Sequence, residues 1–172
     1  MKLDARIQNG QSSVQDFQEA AEERFIDAQD LLARGNGTGA LYLCGYVAEM
    51  LLKSSVFLTG GAKPAEQVYP RLAPVKNWAR RFLPHVPFTS YHSLLFWSEV
   101  LLRKRLDVGN ELSPALSGSL RSVARRMHDA WTIELRYFGF QVDVADAKSF
   151  LEDVAWIRKN YAQSWSQSPC PS

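Results

Sequence analysis

The segment from Gly39 to Lys53 constrains the fold more than any other part of the chain, because it is apolar on almost every side of a helix. A helix of this kind belongs in the centre of a bundle or at a subunit contact. The segment also carries one carboxylate, Glu49, and an ammonium, Lys53, a helical turn later. A buried carboxylate must find a partner or lose its charge. The sequence therefore predicts a core helix with a polar interaction inside it.

Glu49 has two interpretations. In the functional one, its carboxylate is an acid that faces a ligand cleft. In the structural one, it pairs with Lys53 four residues later, or with an arginine from another helix such as Arg136. We favour a structural, buried charge for Glu49 and Lys53; removing one partner of such a pair costs about 3–5 kcal/mol.

Length and cysteine content favour a single intracellular domain. A chain of 172 residues suits one domain, and 46% apolar residues can supply its core. We predict a helical domain over residues 12–164, with an N-terminal segment at 1–11 and a tail at 165–172 that are expected to be disordered. Cys44 lies in the apolar run and Cys170 in the tail, which indicates neither a disulfide framework nor a metal site. A reducing cytoplasm is the simplest compartment for such a chain.

Several missing signals narrow the functional classes. The first fifteen residues are polar and do not resemble a secretory signal. Charged and serine residues interrupt the apolar run, so we predict that it does not span a membrane. The sequence also lacks a Gly-rich phosphate loop, a paired His or Cys ligand motif and a Gly-x-Ser-x-Gly elbow. We therefore expect neither a metalloenzyme nor a P-loop enzyme, and no metal or cofactor.

Apolar residues recur at helical spacing along the chain, and no alternating apolar-polar run is long enough for a sheet. Short connections between long helices favour an all-α, up-and-down antiparallel bundle of four to five main helices. The predicted helical segments are 12–34, 38–59, 75–82, 89–106, 113–131 and 144–164.

Local signals set several helix boundaries. Thr38 is a candidate cap for the second helix, and Thr89 or Ser90 for the fourth. Ser113-Pro114 combines a cap with a proline at the first helical position, which predicts the start of the fifth. Prolines between residues 62 and 88 are expected to permit only the short helix at 75–82.

Two parts of this pattern resemble HEPN domains. In the first two predicted helices, the order of Gly, Ala, Tyr, Glu and Lys goes beyond amphipathic spacing. Before the last helix there is an Arg-Tyr element like that of several branches of the family, although Phe138 follows it where relatives usually have Pro. The matching residues are Ala28-x-x-Leu31-Leu32-x-x-Gly35, Gly39-Ala40-x-Tyr42, Gly45-Tyr46-x-x-Glu49-x-x-Leu52-Lys53 and Trp131-x-x-Glu134-x-Arg136-Tyr137.

The resemblance implies an all-α bundle that commonly forms homodimers. It also implies association with RNA, nucleotides or a nucleotidyltransferase partner, often in toxin–antitoxin or defence systems. Arg136 and Tyr137 become candidate ligand-binding residues, with a structural role as the alternative. Some relatives are metal-independent ribonucleases with an Arg and a His on one helix separated by four to six residues, whereas others lack the motif and are non-catalytic.

Arg121 and His128 give the widest form of that motif, since six residues separate them. At about 100° per residue the two side chains share a helix face, with Arg125 between them. An imidazole can move protons near neutral pH, and a guanidinium can stabilise charge on a phosphate. The alternative, which we favour, is that these three residues form a basic stripe facing solvent or a dimer partner.

Charge and aromatic content point to the middle of the chain. The net charge is +2, but residues 71–136 carry a net +6, which favours an anionic partner such as nucleic acid and makes Arg125 a candidate ligand-binding residue. Solvated helix faces are the alternative. Five tryptophans suggest base stacking, but Trp97 and Trp131 occupy core spacing and are expected to pack; only Trp78, beside Arg80 and Arg81, is expected to be exposed.

Three functional hypotheses follow. The first is a non-catalytic or weakly catalytic module that binds RNA, a nucleotide or a protein through the basic middle third. The second is an endoribonuclease that uses Arg121 and His128 as catalytic residues. The third is a structural dimer, or a partner subunit for a nucleotidyltransferase.

Overall fold

The computed structural model describes residues 12–133, 135 and 141–161, and this part of the chain is an all-α helical bundle. The predicted fold class is therefore confirmed. The segments 1–11 and 165–172, predicted to be disordered, lie outside the described residues. Within the described part there is no strand, only an isolated bridge between Ser13 and Gln67. The helices are α1 (Val14–Ala33), α2 (Gly37–Thr59), α3 (Tyr69–Phe82), α4 (Leu94–Asp107), α5 (Pro114–Ala130) and α6 (Val144–Asn160).

A tight turn joins α1 to α2. Ser13 forms a capping box at the start of α1. Gly35 follows the end of α1 with a φ of +79°, a left-handed conformation that glycine adopts without steric cost. The prediction of Thr38 as the cap of α2 was wrong, because the Asn36 side chain accepts the backbone N–H of Gly39 at 2.9 Å. The turn is thus shorter than predicted.

α2 lies at the centre of the bundle, with α1, α4 and α6 packed against it. By length and composition it could cross a membrane, but 72% of its most apolar window is buried inside the bundle. The core helix of a soluble protein has this character, and the arrangement is consistent with one. The segment that is apolar on almost every side is therefore enclosed by other helices.

Gly45 allows Trp131 to lie directly against α2. A Cβ atom on Gly45 would lie 2.0 Å from atoms of the Trp131 indole, so a larger residue would displace the ring. Trp131 is buried, and its indole N–H donates to the Tyr42 carbonyl at 3.2 Å. Trp97, the other tryptophan predicted in the core, is fully buried. These contacts fix the end of α5 against the central helix.

α3 is longer than the predicted segment at 75–82 and begins at Tyr69. Pro70 lies in its first turn, where a missing N–H leaves no hydrogen bond unmade. Pro74 lies inside the helix. The prediction that prolines restrict this region to a short helix was therefore wrong.

α4 begins later than predicted. The Ser93 hydroxyl accepts the backbone N–H of Phe96 at 3.2 Å and caps the helix. Ser90, one of the two predicted caps, instead accepts the backbone N–H of His92 at 3.1 Å in a local turn. By contrast, the Ser113-Pro114 start of α5 is confirmed.

Candidate nucleic-acid interface

The structure gives the three residues of the predicted basic stripe separate surroundings. The Arg121 guanidinium donates two hydrogen bonds to the Glu99 carboxylate of α4, at 2.7 and 3.1 Å. This hydrogen bonding raises the pKa of Arg121. Arg125 is exposed and His128 is half-buried. We call Arg121, Arg125 and His128 the α5 stripe.

A groove of about 450 Å³ lies beside Arg121. Glu99 and His85 line it together with Arg121, whereas His128 is not among its lining residues. The ribonuclease hypothesis needs the guanidinium and the imidazole of Arg121 and His128 to reach one phosphate. This groove does not bring them together, and their catalytic roles stay predictions.

Another guanidinium on α5 is also paired. Arg126 donates to the Asp153 carboxylate of α6 at 3.0 Å, and this hydrogen bonding raises the pKa of Arg126. The Arg126 side chain is 58% exposed, so solvent screens the pair, and pairs of this kind contribute about 0.2–1 kcal/mol. Carboxylates of α4 and α6 therefore form ion pairs with two arginines of α5.

Glu49 and Lys53 form an ion pair inside the bundle. The Lys53 Nζ atom lies 2.5 Å from Glu49 Oε1, and each side chain is 6% exposed. The ammonium also lies 5.4 Å from the centroid of the Trp97 ring. This is the pairing that the structural interpretation of Glu49 expects. The sequence did not indicate His92, whose Nδ1 atom lies 2.8 Å from Glu49 Oε2.

A different surface of the basic middle third places cations over aromatic rings. The Lys104 ammonium of α4 lies 3.9 Å from the centroid of the Trp78 ring of α3. The guanidinium carbons of Arg81 and Arg103 lie 5.3 and 5.9 Å from the centroid of Phe82. The negative face of an aromatic ring attracts such cations. We call this surface the cation–aromatic face; its members are Trp78, Arg81, Phe82, Arg103 and Lys104.

The opposite side of α3 carries a similar contact. Lys76 lies 4.4 Å from the centroid of Phe88 and 5.7 Å from that of Tyr91, both in the connection between α3 and α4. The sequence explains why this region is basic all round, because no acidic residue occurs between Glu66 and Glu99. The net charge of the longer window 71–136 does not show this acid-free stretch. The stretch itself is the sequence signal that would have located the surface.

Two cations of the cation–aromatic face lack a carboxylate partner. Arg103 pairs with Asp107 at 2.8 Å, but in the described part of the chain no ion pair involves Arg81 or Lys104. Burial lowers the pKa of Lys104, and the charge of Asp107 opposes this effect only in part. A partly desolvated ammonium of this kind is stabilised when an anion approaches it.

A groove of about 340 Å³ lies between the end of α2, α3 and α4. Its lining combines apolar groups, including Val75 and the Trp78 indole, with the Lys104 ammonium. Aromatic rings on which bases stack, next to cations that hold phosphates, are the two components of single-strand nucleic-acid binding. The groove therefore has the chemistry of a nucleotide-binding surface.

The described residues were predicted to hold neither a metal-ligand cluster nor a disulfide, and Cys44 is their free cysteine. Within residues 12–133, 135 and 141–161, no group of three or more His, Cys, Asp or Glu side chains could hold a metal ion. Cys44 is fully buried, and burial raises the pKa of its thiol to about 12. A thiol with this pKa does not supply a thiolate nucleophile near neutral pH.

Comparisons with known proteins identify no family for this chain. No family model, no curated protein and no solved structure matches this chain. The HEPN resemblance therefore rests on the quoted sequence pattern. Of its second half, Glu134, Arg136 and Tyr137 lie outside the described residues.

Proposed function

We propose that this chain is a HEPN-like module that binds single-stranded RNA or nucleotides through the cation–aromatic face, without strong catalysis. The observation that carries the proposal is the contact of the Lys104 ammonium with the Trp78 ring inside one groove. Phosphate contacts supply most of the affinity of such modules, and stacking of a base on an aromatic ring adds about 1–3 kcal/mol.

Lys104 and Arg81 are the phosphate-binding residues in this proposal, because neither forms an ion pair with a carboxylate of the described residues. On binding, the Lys104 ammonium moves from the Trp78 ring to a phosphate oxygen. The ring face that it leaves is then open to a nucleobase. The exchange replaces a cation–π contact with a charge-assisted hydrogen bond and a stacked pair.

The experiment compares two double variants that remove the same charge. Binding of a short fluorescent single-stranded RNA is measured by anisotropy at low salt and over a salt series. Arg81→Ser with Lys104→Ser is expected to weaken binding by at least about tenfold and to reduce the salt slope by about 1.4, because each lost phosphate contact removes about 0.7.

The control variant is Lys148→Ser with Lys159→Ser, two exposed lysines of α6. It should change the affinity less than about threefold, since it removes charge but no contact of the proposed surface. An equal loss in both double variants would show that only net charge matters. No binding of RNA by the wild type at low salt would refute the proposal directly.

The endoribonuclease alternative assigns acid–base chemistry to His128 and phosphate stabilisation to Arg121. Arg121 would first have to leave the Glu99 carboxylate, which accepts two of its hydrogen bonds. Cleavage of single-stranded RNA in the presence of a chelator tests this alternative. Cleavage that is lost in His128→Ala would support it, and cleavage that survives would exclude this assignment.

The remaining proposals concern partners and setting. On the HEPN resemblance, we propose a cytoplasmic homodimer that works with RNA, or with a nucleotidyltransferase protein, in a toxin–antitoxin or defence system. Sedimentation of the purified chain tests the dimer. Pull-down with a nucleotidyltransferase encoded beside it tests the protein partner.

A further inference from the structure

His92 is attached to the central helix through a buried carboxylate. Its Nδ1 atom lies 2.8 Å from Glu49 Oε2, and the Glu49 side chain is 6% exposed. The His92 side chain itself is 37% exposed. Because Nδ1 is held by Glu49, Nε2 is the ring nitrogen that remains for a ligand.

Glu49 is shared between two basic side chains. Lys53 contacts Oε1 and His92 contacts Oε2. When His92 is neutral, its Nδ1–H donates to Glu49, and the charges of Glu49 and Lys53 cancel. When His92 is protonated, the three groups carry a net charge of +1, and Nε2–H becomes a donor at the surface. The cluster therefore offers a positive charge to solvent only in the protonated state.

His92 is next in sequence to a residue that packs on a basic side of α3. It follows Tyr91, whose ring lies 5.7 Å from the Lys76 ammonium. Lys76 and Arg80 are four residues apart and so share one side of α3. This side is opposite the cation–aromatic face, so an RNA strand that reaches His92 must pass round α3.

We propose that His92 is a proton-dependent phosphate-binding residue, whose imidazolium Nε2–H donates to an RNA phosphate while Glu49 holds Nδ1–H. The inference rests on the proposed RNA-binding function and adds a contact to it. The groups that face the ring are Glu49, with Lys53 behind it, and the Tyr46 phenol ring at 6.5 Å, all from α2. Lys76 of α3 faces the neighbouring Tyr91.

The direction in which RNA affinity changes with pH follows from the two protonation states of the His92 ring. Neutral His92 presents an Nε2 lone pair, which repels a phosphate oxygen, whereas the imidazolium donates to it. RNA affinity is therefore greatest when the ring is protonated and is lower when the ring is neutral. Histidine changes charge between about pH 5 and pH 8, which sets the range to be measured.

The experiment measures binding of the same fluorescent single-stranded RNA to the full chain at about pH 5.5 and pH 8, in a salt series. The wild type should bind on the order of fivefold more tightly at the lower pH, as one added charge-assisted contact predicts. Its salt slope should be about 0.7 larger at the lower pH, the value for one phosphate contact on a single strand.

Variants of His92 and of a second histidine separate this contact from general protonation. His92→Gln should keep the affinity of the wild type at high pH and lose the gain at low pH. His92→Lys should bind tightly at both pH values. His85→Gln is the matched control and should retain the pH dependence of the wild type. Circular dichroism checks that each variant is folded.

Each outcome either supports or overturns the inference about His92. Loss of the pH dependence in His92→Gln alone supports the inference. An unchanged pH dependence in that variant, or its loss in a control histidine variant, overturns the inference and leaves the proposed RNA binding intact. RNA binding that is absent at both pH values overturns both proposals.

Discussion

The α5 stripe and the cation–aromatic face both come from the basic middle third of the chain, but Arg121 and Lys104 meet different partners. On α5, Arg121 is held by Glu99 and the neighbouring Arg126 by Asp153, whereas the exposed Arg125 is in no ion pair of the described residues. On the cation–aromatic face, Lys104 lies over an aromatic ring, and no carboxylate of the described residues pairs with it. A guanidinium that already binds a carboxylate must break that contact before it can bind a phosphate. An ammonium on a ring exchanges a weaker contact for a stronger one.

The comparison shows that positive charge in a sequence differs from positive charge available to a ligand. Both surfaces contribute to the same net +6 of residues 71–136. Their availability depends on which helix lies opposite. α5 faces carboxylates of α4 and α6, whereas α3 and the connection after it contain no acidic residue. The proposed RNA binding is therefore assigned to α3 and α4.

The largest expected effect in this comparison is that of Trp78→Leu. Loss of the stacking ring should weaken binding of single-stranded RNA about tenfold, within the 1–3 kcal/mol typical of a stacked base. Trp78→Phe keeps an aromatic ring and should recover most of the affinity. Anisotropy titrations measure both, and thermal unfolding checks their stability. Equal affinities for the leucine variant and the wild type would remove the cation–aromatic face from the proposal.

Release of Arg121 from Glu99 should change the RNA affinity less, and should increase it. Glu99→Gln removes the charged acceptor of Arg121, so the freed guanidinium should strengthen RNA binding about threefold and raise the salt slope by up to about 0.7. Glu152→Gln, an exposed residue of α6, makes the same change in net charge and is the control. If the two variants bind RNA equally, the ion pair between Arg121 and Glu99 does not limit RNA binding by the α5 stripe.

The smallest effect is expected for the other paired arginine. Asp153→Asn breaks the exposed contact with Arg126, and such pairs contribute about 0.2–1 kcal/mol to stability. A urea midpoint should fall slightly, and RNA affinity should not change by more than about twofold. A tenfold gain in affinity would mean that α5 is a binding surface held in check by its carboxylates.

Local sequence signals predicted some boundaries well and others poorly. Ser113-Pro114 fixes the start of α5 because both the cap and the proline act within one turn. The start of α4 depends on which serine hydroxyl is already engaged, and Ser90 is engaged in a turn with His92. The proline rule failed for α3 because Pro70 lies in the first turn, where it leaves no hydrogen bond unmade, and because the helix continues through Pro74 despite its missing N–H.

The polar cluster around Glu49 also contains one contact that the sequence predicts and one that it does not. The spacing of Glu49 and Lys53 made their pairing predictable, because residues four apart are neighbours on a helix. His92 reaches the same carboxylate from 43 positions away along the chain. No periodicity predicts such a contact, since it depends on how the connection before α4 crosses the central helix.

The sequence by itself determined the fold class, the central position of α2 and the basic character of the middle third. Helical period, capping and burial of apolar groups act over a few residues, so they can be read along the chain. Only the tertiary structure decided which basic groups meet a carboxylate and which meet a ring. Arg121 and Lys104 look equivalent in sequence, but Glu99 lies opposite one and Trp78 opposite the other. Electrostatic interactions at these distances depend on the partner across the helix interface, and helix packing chooses that partner.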